Sequence, residues 1–166
     1  MSHSMRVINL LVCVFICMSI KAQMVSYIYN ALSNDECNVT YSVAKQDSSY
    51  YIVATVSSER MRFLNEPTMK IRTFNDKVIT LLGVLLGSGS ESAGVVSSNI
   101  VIPLIWINST AQFKVTPAQF EDLKNGVSKV RLSMTPTNHE RTFEKDKIGK
   151  KLYQFYLDVK LQDDNF

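Results

Sequence analysis

The chain has 166 residues, 18 basic and 15 acidic side chains for a formal net charge of +3, and 46% hydrophobic residues. That is enough length and apolar content for one ordinary core, so the chain does not need the staples of a mini-domain. The near-balanced charge gives no global reason to bind nucleic acid.

The N-terminus reads as a cleavable signal peptide covering residues 1–22. Arg6 supplies a positive start, Val7 to Ile20 is a largely apolar core interrupted by Asn9, and Ala22 offers a small residue before Gln23. The apolar run is short for a bilayer span, which takes about 20 residues, though an uncleaved anchor is the rival reading. Lipidation is disfavoured, because Val12 and Ile16 precede Cys13 and Cys17 where a small residue is needed. Cleavage discards Arg6 and Lys21, leaving 16 basic residues against 15 acidic ones, a formal charge of +1. It also leaves Cys37 as the sole cysteine, so no internal disulfide is expected despite export.

Residues 23–166 read as a single β-rich domain. Val25 to Leu32, Val39 to Ala44 and Tyr50 to Val56 carry strand signals, with Ser33-Asn34-Asp35-Glu36 as a turn. Met69 to Thr73 alternates cleanly, placing Lys70 and Arg72 on the polar face. After a turn at Asn75-Asp76-Lys77, Val78 to Leu86 is apolar on both faces, which predicts a buried central strand. Gly87 to Gly94 predicts a mobile hairpin loop, the first place to look for a recognition loop. Ile100 to Asn108 returns as an apolar strand, with Trp106 expected in the core and Pro103 marking an edge or bulge.

Thr116, Pro117 and Gln119 form a capping-box start for a short helix that Asn125-Gly126 ends. Val127 to Met134 is the next strand, with Lys129 and Arg131 sharing one face. Ile148, Leu152, Phe155 or Tyr156 and Val159 recur at helical spacing and predict a C-terminal amphipathic helix. Gly149 weakens that helix by about 1 kcal/mol relative to alanine. The expected fold is mainly β, an antiparallel β-sandwich with one short internal helix and the C-terminal helix.

Four segments carry a family resemblance: Met69-Lys70-Ile71-Arg72, Thr116-Pro117-Ala118-Gln119-Phe120, Asn125 to Arg131, and Asp146-Lys147-Ile148-Gly149-Lys150. On these, the chain resembles a family of small exported proteins from Bacteroidota-type bacteria that has no assigned activity. The resemblance implies an envelope setting and a β-rich fold, with no functional residues to carry over.

No catalytic constellation is expected. Ser42-Val43-Ala44-Lys45 matches Ser-x-x-Lys, but on a strand residues three apart point to opposite faces. Cys37 and His139 are the residues of a thiol hydrolase, yet Asp35 and Glu36 beside Cys37 would raise a thiol pKa. His139, Glu140 and Asp146 lack the short spacing of a zinc site, so no metal or other cofactor is expected.

Two surfaces remain as binding candidates. Lys70, Arg72, Lys129 and Arg131 would form a four-cation ladder if their strands are neighbours, suited to an acidic glycan, lipid headgroup or protein patch. Tyr27 and Tyr29 share a strand face and would stack on a sugar ring or a protein partner. The leading expectation is an exported, non-catalytic binding domain for an envelope protein or glycan. A small envelope hydrolase and a structural subunit of an envelope assembly are the alternatives, the latter signalled by an exposed apolar strand edge.

Overall fold

A computed structural model describes residues 24–31, 35–59, 62–97 and 100–164. The expected signal peptide lies outside the described residues. In chain order the elements are β1 (Val25–Ala31), β2 (Asp35–Gln46), β3 (Ser49–Ser58), β4 (Thr68–Thr73), β5 (Val78–Ser97) and β6 (Ile100–Val115). Then come α1 (Pro117–Asp122), a 3-10 turn (Leu123–Asn125), β7 (Val127–Leu132), β8 (His139–Thr142) and α2 (Gly149–Asp164).

The protein is mainly β and antiparallel, as expected, with its strands hydrogen-bonded into one sheet of order β1-β2-β3-β6-β5-β4-β7-β8. The meander β4-β5-β6 is inserted in reverse between β3 and β7. One continuous curled sheet stands where two stacked sheets were expected, and its edge strands β1 and β8 approach each other. The long β5 joins the two halves, pairing through Val78–Leu82 with β4 and from Gly83 onward with β6. A bulge between Leu85 and Gly87 adds local twist there, as extra residues in a strand do.

Alternation decides which residues fill the curl. Met69 and Ile71 of β4, Ile79 and Leu81 of β5, and Val130 and Leu132 of β7 point inward with Ile52, Val56 and Phe113. Ile148, just before α2, and Leu152 and Tyr156 within it pack into this core, and Phe120 of α1 stacks on Tyr156 with ring centroids 4.4 Å apart. The Thr116 capping box forms, with Gln119 at its third position.

Three expectations are corrected in and after β5. Gly87 to Gly94 is strand, because its small residues pair along β6 from Thr110 to Pro103. Val78 to Leu86 is central in the sheet yet exposed at Val78, Leu82 and Val84 to Leu86, since among the described residues no layer covers the outside of β4 and β5. Trp106 is half-buried, opposite Glu91 on the hairpin. Pro103 occupies an edge among the described residues: β3 pairs no further than Ser58 opposite Ile107, and beyond that point β5 is the described partner of β6.

Candidate functional site

The site follows from how β4 and β7 share a register. Met69 sits opposite Leu132 and Ile71 opposite Val130, all four buried. That core pairing places Lys70 directly opposite Arg131 and Arg72 directly opposite Lys129 on the outer face. A one-residue slip would turn the cations inward, so the hydrophobic pattern holds the ladder in place. The four predicted cations therefore meet.

Like charges directly opposite one another destabilise a strand pair, here by about 0.2–1 kcal/mol each. One carboxylate offsets part of this. Glu140 of β8 lies opposite Arg131, accepts from its Nε at 2.7 Å, and forms an ion pair with Lys129. Those two cations, Lys129 first, hold the Glu140 carboxyl below its ordinary range. Among the described residues no carboxylate pairs with Lys70 or Arg72. The five side chains, with Ile71 and Val78, line an open depression of about 180 Å³. A shallow surface with surplus positive charge suits recognition of anions better than bond-breaking chemistry.

The other candidates fall elsewhere. Tyr27 and Tyr29 pair in register with Val39 and Cys37, but their side chains lie outside what is described. Cys37 is fully buried and burial pushes its thiol up to about 11. His139 is also fully buried, and burial, then Arg141 and Arg62, pushes its imidazole down to about 4. Both shifts oppose the thiolate and imidazolium of a catalytic pair. Ser42 and Lys45 lie on β2, as expected for a chance match.

Asp146 has a structural task. Its Oδ1 accepts from the backbone N–H groups of Val127, Ile148 and Gly149, and its Oδ2 from Lys150, tying the start of α2 to β7. Among the described residues no group of three metal-ligating side chains comes together.

The sequence reading missed a second feature of this face. Val78 lies opposite Arg72, Thr80 opposite Lys70 and Leu82 opposite Thr68, so an apolar row borders the cations. Leu82 is 79% exposed and Val84 62%. The signal was present in Val78 to Leu86, but a run apolar on both faces reads as burial on both faces. The chain matches no family model, no curated protein and no solved structure.

Proposed function

We propose that this protein is an exported, non-catalytic binding domain of the bacterial cell envelope. It holds an acidic glycan, or an acidic patch of a protein partner, on the outer face of β4 and β7. The carrying observation is the register that sets Lys70 against Arg131 and Arg72 against Lys129 with Glu140 as their one carboxylate neighbour among the described residues. Alternating neutral side chains would satisfy the same core, so nothing in the packing asks for four cations. The signal-like N-terminus and the family resemblance support the envelope setting.

The test exploits the opposition between binding and stability. Lys70→Glu and Arg72→Glu each convert a like-charge pair into an opposite-charge pair. Each is expected to raise unfolding free energy by a few tenths to about 1 kcal/mol. Each is also expected to lower retention on immobilised alginate, a polyuronate, measured as the salt concentration of elution. Unchanged retention in the double variant would remove the ladder from function.

The exposed apolar row gives a specific reason to keep the reading of an assembly subunit, since such rows are often covered in complexes. A hydrolase would need acids or His139 converging in a cleft, and His139 is sealed in the core instead.

A further inference from the structure

The cation ladder and the apolar row occupy adjacent strands of one outer face, and a ligand for one must accommodate the other. Lys129 and Arg131 lie on β7, Lys70 and Arg72 on β4, and Val78, Thr80, Leu82 and Val84 on β5. Neighbouring strands are about 4.8 Å apart, so the cationic and aliphatic rows lie side by side within one lipid headgroup's reach. Val78, Leu82 and Val84 are each more than half exposed on that face. Isolated exposed leucines are ordinary on protein surfaces; an apolar row beside Lys70 and Arg72, which no carboxylate pairs among the described residues, is not.

An acidic polysaccharide would neutralise the cations and leave the row in water. A purely apolar partner would desolvate the row and strand Lys70 and Arg72 without counter-charge. The surface of an anionic lipid bilayer supplies both, phosphate anions at the headgroup level and acyl carbon just beneath. We infer that the outer face of β4, β5 and β7 docks on an anionic lipid membrane, its cations on the phosphates and Leu82 and Val84 dipping below them. The inference rests on the anion-binding role of the basic ladder proposed above and assigns it lipid phosphate in place of a glycan or protein carboxylate. Among the described residues no helix is long and apolar enough to cross a membrane, so the attachment is peripheral in those residues.

The experiment compares the full chain with its Leu82→Ser/Val84→Ser variant by co-sedimentation with lipid vesicles. Both proteins carry the same N-terminal segment, so any difference between them reads the sheet face. The vesicles are phosphatidylcholine alone, or phosphatidylcholine with about one third phosphatidylglycerol. The expected result is partition onto the anionic vesicles alone, reduced at least tenfold by the double serine change and weakened by added salt. Retention on alginate should be unchanged in the variant, and both proteins should show the same far-ultraviolet circular dichroism.

Failure to partition, or equal partition of both proteins, while alginate is still held overturns the lipid inference and leaves the basic ladder standing. Loss of both vesicle and alginate binding in the wild-type chain removes the two readings together. A dimer in size-exclusion chromatography that the serine variant dissolves, without vesicle binding, assigns the apolar row to a second copy and overturns the inference.

Discussion

At the scale of single residues, two adjacent titratable side chains have opposite fates because they meet opposite faces of β8. Glu140 sits between Lys129 and Arg131 at the surface, where its charge is favoured. Its neighbour His139 points the other way, into the core, where its charge is penalised. The sign of the resulting pH effect follows from the depressed imidazole pKa. The unfolded chain takes up a proton near pH 6.5 while the folded chain resists until about 4. Stability from this residue is therefore complete above pH 6.5 and falls as the pH drops towards 4. Between pH 7.5 and pH 5 the loss should be about 2 kcal/mol, read as a drop in the urea midpoint. That interval stays above the range in which Glu140 and Glu121, both held below the ordinary carboxylate range, lose their charge. His139→Gln should flatten the dependence; a wild-type midpoint that does not move would show the imidazole to be in contact with water.

At the scale of elements, the sheet turns its corner where β5 changes partners. Gly83 donates its N–H to the Pro67 carbonyl at 2.8 Å, at the end of the β4 pairing, and faces Phe113 of β6. A Cβ at this position would lie 2.5 Å from the Phe113 Cε1, and that ring is fully buried. Gly83→Ala should therefore cost about 1–3 kcal/mol through overpacking. Combining it with Phe113→Leu should cost less than the two separate changes together, measured by a double-mutant cycle in urea. Strict additivity would mean that the ring and the glycine do not meet. The junction of β7 and α2 uses the same economy of space. Gly149 has Val127 backbone nitrogen 2.7 Å from its virtual Cβ, which explains a glycine that sequence reasoning treated as a weakness in the helix.

At the scale of the whole molecule, protection is uneven. The centre of the curled sheet is wrapped by α1 and α2, whereas the far part of the β5–β6 hairpin has no third strand beside it beyond Ser58 among the described residues. A two-stranded ribbon is marginal by itself, because each strand leaves one edge of its backbone to water. Amides of Glu91 and Ser92 and of Ile105 and Trp106 should exchange with deuterium on the order of 100-fold faster than those of Val39 and Val56. Anionic vesicles should leave that contrast in place at the core and slow exchange along Leu82 to Leu86. Uniform exchange across β5 and β3 would show that the hairpin is covered by a partner even in the free protein.

Much of this was legible in the chain alone, because it depends on local chemistry. The alternation of Met69 to Thr73, the capping box at Thr116 and the helical spacing of Ile148, Leu152 and Tyr156 each report a period that backbone geometry imposes on its own residues. The face shared by Lys70 and Arg72, and that shared by Lys129 and Arg131, were legible for the same reason. Their meeting was not. Residues 70 and 131 are brought together by a strand order that depends on which apolar faces pack best across the whole sheet, and no local period records that choice. The exposure of Leu82 and Val84 was hidden likewise, since an apolar run states what would be favourable to bury and not whether a second layer exists to bury it. Sequence determined most of the strands, the cap at Thr116 and the charge on each face; the tertiary structure alone decided that Gly87 to Gly94 joins a strand, which faces became neighbours and which were left to water.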